Sequence, residues 1–214
     1  MNKIIKIYES LLKEFGHQGW WPINNKYHPN DYSYPHNEKE KLEIIYGAIL
    51  TQNTSWKNVE KTLENIKDVD VENIAKEKLA SLIKSAGYFN QKAGRLKIAH
   101  EFFNRNKNPS REELLKVKGI GPETADSILL YAFNKPYFVI DSYTKRIFSR
   151  LGFGDKSYND LQKMFHDNLD KDYKLFNEYH ALLVQHAKVY CKKEPLCQKC
   201  PLNKICLYYK VKFK

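Results

Sequence analysis

The chain has 214 residues, 42% of them apolar and 14% aromatic, which is enough to bury a substantial core in one or two domains. Its 36 Lys and Arg residues against 25 Asp and Glu give a formal net charge of +11. This excess favours a polyanionic partner, although base bias in a genome also raises lysine content. No apolar run approaches the roughly eighteen residues of a membrane span, and the mixed-charge N-terminus is unlike a signal peptide, so we expect a cytoplasmic protein.

Helical periodicity runs through the sequence. Apolar residues recur every three or four positions in the first segment, and the same pattern returns in many short stretches. No stretch shows the sustained period-two alternation of a β-strand, so the predicted class is all-α. The predicted helices cover residues 3–15, 38–50, 55–66, 71–75, 78–83, 90–103, 114–117, 122–131, 142–151, 155–169 and 174–190.

An aromatic loop separates the first two predicted helices. Residues 17–37 contain three prolines, two tryptophans and three tyrosines without helical periodicity. A connection of this length is uncommon in a compact protein unless it is functional. We therefore expect the loop to be ordered and to take part in binding.

A glycine turn lies between two short predicted helices at residues 114–131. Gly119 and Gly121 carry no Cβ, so the backbone amides of Gly119, Gly121 and Glu123 can approach a bound group closely. Pro122 suits the first position of the second helix, whose dipole adds positive potential at the turn. Such a turn suits one DNA phosphate, although an ordinary glycine-capped corner has the same local sequence.

An isolated acid follows this turn. Asp141 comes after an apolar run and before a helical segment, which is the position of a helix N-cap, and a cap alone would explain it. Together, however, K-G-I-G-P-E-T-A-D-S-I-L-L-Y-A and V-I-D-S-Y-T-K-R closely resemble the helix-hairpin-helix and Gly/Pro-Asp signature of the endonuclease III superfamily of DNA glycosylases. The resemblance is closest to the methylpurine and uracil glycosylase branches.

All four cysteines lie in one short C-terminal segment. In a cytoplasmic protein disulfides are disfavoured, so zinc or an iron–sulfur cluster is expected. Only Cys197 and Cys200 form a C-x2-C pair, while five intervening residues separate this pair from Cys191 on one side and from Cys206 on the other, and this spacing favours a cluster over zinc. The segment resembles the four-iron, four-sulfur loop of endonuclease III relatives, with a first gap of five residues where six is usual. The resemblance implies that all four cysteines bind a [4Fe-4S] cluster.

The resemblance also implies an architecture and a partner. It implies a six-helix barrel lobe over residues 39–137 that carries the helix-hairpin-helix. A second, discontinuous lobe takes residues 1–38 and 138–214, with the cluster loop at 191–206. The expected partner is double-stranded DNA containing a damaged base, bound by a monomer associated with the nucleoid, with no membrane involved.

Members of this superfamily flip a damaged base out of the duplex and break its N-glycosidic bond. The resemblance implies that Asp141 stabilises the oxocarbenium-like sugar, and its N-cap position should help to keep it ionised. Bifunctional relatives have a lysine two residues after the second hairpin glycine, where this chain has Glu123. We therefore predict a monofunctional glycosylase without strong abasic-site lyase activity.

Further DNA contacts follow from the same resemblance. Gln52 matches a glutamine that fills the gap left by the flipped nucleotide, while Gly119, Gly121 and Glu123 form the phosphate clamp. Lys92 and Arg95 are expected to touch phosphates.

The substrate prediction depends on the aromatic loop. Its Q-G-W-W-P sequence is similar to a segment of methylpurine glycosylases, which implies that Trp20, Trp21 and Pro22 line the base pocket. Tryptophan faces attract cationic bases, so the favoured substrate is an alkylated purine such as 3-methyladenine. Uracil is a rival substrate within the same fold, and a non-catalytic damage-binding module is the rival from another class.

Overall fold

The computed structural model describes residues 2–213, and the helices of this range confirm the predicted all-α class. The range contains no β-strand, and its one isolated bridge pairs Ile23 with Lys26. The α-helices are α1 (Lys3–Phe15), α2 (Glu38–Leu50), α3 (Trp56–Ile66), α4 (Lys76–Leu82), α5 (Phe89–Arg105), α6 (Arg111–Lys116), α7 (Pro122–Phe133), α8 (Ser142–Phe148), α9 (Tyr158–Asn168), α10 (Tyr173–Val189) and α11 (Leu207–Phe213). Within residues 2–213, every helix is too short or too polar to cross a membrane.

The chain divides into two compact units. The hairpin unit consists of Trp21–Lys26 and Ser33–Lys135. The cysteine unit consists of Tyr27–Tyr32 together with the described residues before Trp21 and after Lys135. The lobe boundaries predicted from the sequence, 39–137 against 1–38 and 138–214, stay a prediction.

Two helices with long buried runs form the centre of the hairpin unit. In α2 the run from residue 44 to residue 50 is buried, and α7 is buried from residue 124 to residue 132. A helical run that is buried on every side lies in the protein interior, and α2 accordingly contacts α3, α5 and α7. The glycine turn predicted between α6 and α7 is thereby attached to the core of this unit.

Trp21 packs over a glycine of α2. Its indole meets the rings of Trp56 and Tyr131 at centroid distances of 5.1 and 5.2 Å. A Cβ on Gly47 would stand only 2.9 Å from this indole. Gly47 is therefore required by close packing, because its backbone is helical and needs no special freedom.

Lys92 of α5 is buried. Only 1% of the residue is exposed, and its Nζ donates hydrogen bonds to the Leu50 and Ala86 carbonyl oxygens at 2.8 and 2.7 Å. The predicted phosphate contact of Lys92 does not fit this structure, because its ammonium is committed to two internal carbonyls. Burial, followed by the charge of Arg95, lowers the pKa of Lys92 to about 8.

In the cysteine unit, α10 packs against α1 and α8. The Tyr179 hydroxyl donates to the Ile4 carbonyl at 2.8 Å, and the Phe138 ring stacks on Phe165 at 3.6 Å. Side chains of α9 also hold the backbone of Phe138, whose amide donates to His166 Nε2 at 3.1 Å and whose carbonyl accepts from Gln162 Nε2 at 2.8 Å. These contacts fix the extended segment that leads into α8.

A buried carboxylate fastens the first part of the aromatic loop. Glu178 of α10 is 1% exposed, and it accepts hydrogen bonds from the Gln18 amide at 2.8 Å and the Tyr32 hydroxyl at 2.7 Å. The Nδ1 atom of His17 lies 3.3 Å from the same carboxylate. A buried carboxylate needs such partners, so these residues of the cysteine unit are held in one arrangement.

Replacing Gly47 with alanine tests the packing of the hairpin unit. We expect Gly47→Ala to lower the free energy of unfolding by about 2 kcal/mol, because the new methyl group overpacks the buried indole. The matched control is Gly94→Ala in α5, where a Cβ would stand 3.5 Å from Lys76. That change should raise the free energy of unfolding by roughly 0.5 to 1 kcal/mol. Denaturant unfolding measures both, and equal stability of the two variants would contradict the packing.

Replacing Lys92 with methionine tests its burial through pH. The folded-state pKa of about 8 lies below the ordinary 10.5, so the unfolded chain binds more protons at this site between these pH values. The wild type should therefore gain stability relative to Lys92→Met, by about 2 kcal/mol between pH 8 and pH 10. Unfolding curves at several pH values measure this difference. The exposed Lys78, replaced in the same way, should give none, and a pH-independent difference for Lys92→Met would count against the burial.

Candidate functional site

The predicted hairpin is present between α6 and α7. A capping box of Ser110 and Glu113 begins α6, and Gly121 is the N-cap residue of α7. Gly119 has a φ of +92°, a conformation that favours glycine. Gly121 and Glu123 are exposed at this end of α7, where the first amides of a helix have no intrahelical acceptor.

A buried ion pair joins the two helices of the hairpin. Arg111 at the start of α6 forms a bidentate pair with Asp126 of α7, with Nε–Oδ1 and Nη2–Oδ2 distances of 2.6 and 3.0 Å. Asp126 is fully buried. Two parallel charged hydrogen bonds restrict the angle between the helices, so the glycine turn is presented in one geometry. No local pattern in the sequence predicts this pair.

Gln52 and Arg95 meet at the hairpin. The Gln52 amide nitrogen donates to the Gly119 carbonyl at 3.0 Å and to the Thr124 hydroxyl at 2.9 Å, and its oxygen accepts a hydrogen bond from Arg95 Nη1. A Cβ on Gly119 would approach the Arg95 side chain to 2.6 Å. The structure therefore brings together three residues predicted to contact DNA: Gln52, Arg95 and Gly119. The fourth partner, Thr124, carries no sequence signal beyond its place in the first turn of α7.

Glu123 lies in the first turn of α7. Its side chain is exposed, and a carboxylate at a helix N-terminus stabilises the helix dipole. A carboxylate cannot form the Schiff base that an amine forms. Glu123, which the resemblance aligns with the lyase lysine of bifunctional relatives, therefore offers no amine.

Asp141 is the N-cap of α8, as predicted. Its Oδ1 accepts the Thr144 amide at 2.7 Å, and its Oδ2 lies 3.8 Å from His180 Nε2 of α10. The side chain is 15% exposed. Asp141 belongs to the cysteine unit, whereas the glycine turn belongs to the hairpin unit.

The Asp141 carboxyl is held ionised. Burial acts most strongly and would raise its pKa, but the His180 ring by contact and charge, and then the Thr144 amide and hydroxyl, together hold the pKa of Asp141 below its ordinary value. The group is therefore a carboxylate at neutral pH. An anion in a largely buried position can stabilise positive charge that develops beside it. The local sequence around His180 carries no signal that links it to Asp141.

The three predicted pocket residues have different surroundings. Trp20, in the cysteine unit, is half-buried, with its ring edge-on to Tyr27 at 5.9 Å and Lys188 Nζ 5.8 Å from its centroid. Trp21 and Pro22 are buried in the hairpin unit, where Trp21 packs as a core residue. A role of these residues in a base pocket stays a prediction.

The four cysteines form no disulfide. Cys191 and Cys197 are buried, and Cys200 and Cys206 are half-buried. Burial, and then the charges of the other three thiolates, raise the pKa of Cys200 to about 12, with partial compensation from the Leu202 amide. Cys191 and Cys206 both lie beside Arg150, and four thiolates are the donor set that an iron–sulfur cluster uses.

The four cysteine side chains do not converge on one metal-binding position. Within residues 2–213, no three Cys, His, Asp or Glu side chains already form a metal-holding group. Arg150 lies between the first and last cysteine, with Nη1 3.4 Å from Cys191 Sγ and its carbonyl 3.4 Å from Cys206 Sγ. The Arg146 guanidinium donates to the Cys191 carbonyl at 3.0 Å. The donor set fits a cluster, and the thiols would have to converge to bind it.

Known proteins resemble this chain over most of its length. Residues 46–171 match the family described as "HhH-GPD superfamily base excision DNA repair protein", where HhH denotes helix-hairpin-helix. The chain is 43% identical to the "Putative DNA repair glycosylase MJ1434" of Methanocaldococcus jannaschii, over 95% of this chain and 96% of the relative.

Two solved structures have a similar fold. The H. pylori 3-methyladenine DNA glycosylase bound to 1,N6-ethenoadenine has a TM-score of 0.70 and 29% identity, and the match covers 87% of this chain and 96% of that one. A trapped covalent complex of endonuclease III with DNA has a TM-score of 0.79 and 22% identity over 100% of both chains, a likeness of fold. By its family match and its relatives, this chain belongs to the HhH-GPD superfamily of base excision DNA repair proteins.

Proposed function

We propose that this protein is a monofunctional DNA glycosylase that hydrolyses the N-glycosidic bond of an alkylated purine, such as 3-methyladenine, in double-stranded DNA. The observation that carries the proposal is the ionised carboxyl of Asp141, which is largely buried and held by donors from two helices. As the base leaves, positive charge develops on the sugar, and a fixed carboxylate stabilises it. A base inside the stack is out of reach, so the damaged nucleotide must first be flipped out.

In this proposal the hairpin binds DNA backbone. The exposed residues Gly121 and Glu123 at the start of α7 and the dipole of this helix favour a phosphate, and the Arg111–Asp126 pair keeps the turn in one geometry. Gln52 fills the gap left by the flipped nucleotide, since its amide both donates and accepts hydrogen bonds. Because that amide is bonded to Gly119, Thr124 and Arg95, it must exchange these partners for DNA.

Absence of strong lyase activity follows from the chemistry at Glu123. Strand cleavage of the bifunctional type requires an amine that attacks the sugar and forms a Schiff base. The side chain of Glu123 has no amine. Lys145 is exposed on the first turns of α8, one turn past Asp141, and is the residue that a test must control for.

Two observations support an alkylated purine as the substrate. The H. pylori structure, at 29% identity, is described as a 3-methyladenine DNA glycosylase. In this chain Trp20 is half-buried, and an indole face attracts a base that carries positive charge after methylation. Such a base has a weakened glycosidic bond, so a strong general acid is unnecessary.

We further propose that Cys191, Cys197, Cys200 and Cys206 hold a [4Fe-4S] cluster. When bound, the cluster would cross-link the C-terminal loop by four metal–thiolate bonds and stabilise the fold. Arg146 and Arg150 bind the carbonyls and thiols of the loop from the end of α8, so they orient it in either case. The proposal includes a monomer that acts on nucleoid DNA in the cytoplasm.

Base release from a panel of lesion-bearing duplexes tests the proposed activity. We expect release of 3-methyladenine or 7-methylguanine, with the abasic strand left intact until alkali is added, because no residue supplies the lyase amine. Chromatography of the freed base and gel analysis of the strand measure the two steps. Release of uracil alone would contradict the proposed alkylated-purine substrate but would still agree with a DNA glycosylase.

Borohydride trapping is the control for strand cleavage in the same assay. Little covalent adduct is expected with the wild type. A robust adduct that persists in Lys145→Ala would contradict the monofunctional proposal, since it would require another amine at the sugar.

Replacement of Cys197 with serine tests the cluster. We expect the variant to lose bound iron and acid-labile sulfide, to lose the visible absorption of the cluster, and to unfold at a lower temperature. Metal analysis and thermal unfolding measure these changes. The matched control is Gln198→Ala, an exposed change in the same loop. Stoichiometric zinc without sulfide in the wild type would contradict the cluster.

A further inference from the structure

A histidine from a distant helix faces the second oxygen of Asp141. His180 lies in the middle of α10, whereas Asp141 begins α8, and the two helices pack against each other. His180 Nε2 lies 3.8 Å from Asp141 Oδ2, and their side chains are 11% and 15% exposed. At this distance, with little water access, the imidazole attracts the carboxylate when it is protonated.

The N-cap role of Asp141 does not require this histidine. A cap needs one carboxylate oxygen, and Oδ1 supplies it by accepting the Thr144 amide at 2.7 Å. The other oxygen, Oδ2, is not needed for the cap. His180 adjoins that oxygen, so its contact goes beyond what helix capping explains.

Another buried carboxylate of the cysteine unit, Glu178 on α10, has a purely structural arrangement. Glu178 is 1% exposed and is enclosed by the Gln18 amide, the Tyr32 hydroxyl and His17. Asp141 accepts the Thr144 amide at one oxygen and has His180 Nε2 3.8 Å from the other. The Glu178 arrangement fastens a loop, whereas the Asp141 side chain remains 15% exposed.

We propose that His180 is a positioning residue, which orients Asp141 through Oδ2 and keeps it ionised for the glycosylase reaction. The role in catalysis rests on the proposed function, but the effect of His180 on Asp141 does not. The groups that face Asp141 are Thr144 from its own helix and His180 from α10. Without the imidazole, the burial of Asp141 opposes its charge with only the cap to offset it.

Titration of the Asp141 carboxyl tests the proposal without DNA. The carboxyl resonance is followed by NMR in isotope-labelled protein and identified by its absence in Asp141→Asn. In His180→Ala we expect the midpoint to rise by about one pH unit or more, which is the effect of removing a nearby opposite charge. His180→Gln, which keeps a donor but no charge, should raise the midpoint less and covers the case in which the alanine variant fails to fold. The control is His17→Gln, which removes the histidine beside Glu178 instead.

Single-turnover base release against pH supplies the second readout. The acid limb of the rate profile should move to higher pH in His180→Ala. Below both midpoints, the rate should fall roughly tenfold for each pH unit by which the Asp141 midpoint rises. An unchanged Asp141 midpoint in both His180 variants would overturn the proposal, and so would an equal rise in His17→Gln. Absence of base release from the wild type would overturn the proposed function, whereas the carboxyl titration would still decide the role of His180.

Discussion

The structure around Asp141 depends on keeping a carboxylate charged in a largely buried position. Burial alone would neutralise it, and the Thr144 amide and the His180 ring oppose that tendency from two helices. The position of Asp141 depends in turn on Phe138, whose backbone amide and carbonyl are both bonded to α9 side chains. The far end of α8 leads into the arginines that hold the cysteine loop. One short helix thus connects the charged group to the loop that is proposed to bind the cluster.

The hairpin unit also depends on a charged group that is held in a buried position. A buried Arg111–Asp126 pair sets the geometry of the turn, and Gln52 ties the loop after α2 to the same turn. Breaking such a buried pair leaves an uncompensated charge, so the turn is costly to deform. Gln52 is bonded on both its nitrogen and its oxygen in this structure. Its proposed insertion into DNA therefore competes with contacts that it already has.

Features that depend on local sequence could be predicted, and those that depend on packing could not. The helices at 3–15 and 38–50 match α1 and α2, because apolar periodicity and capping residues act over a few positions. The hairpin glycines and the N-cap position of Asp141 have the same local origin. His180 is 39 positions from Asp141 in sequence, and only the packing of α8 on α10 brings them together. The family resemblance implies a phosphate contact for Lys92, yet the packing of α5 buries this side chain and two carbonyl oxygens accept its hydrogen bonds.

The proposed function depends on the carboxylate of Asp141, which stabilises the sugar as the base leaves. The most direct measurement compares single-turnover release of an alkylated purine by the wild type and by Asp141→Asn, with the affinity for the same duplex measured in parallel. We predict that the asparagine variant binds DNA at least as tightly but releases the base roughly a hundredfold more slowly, since it has lost the charge that stabilises the sugar. Equal release by both proteins, or equal binding with no release by either, would contradict the claim.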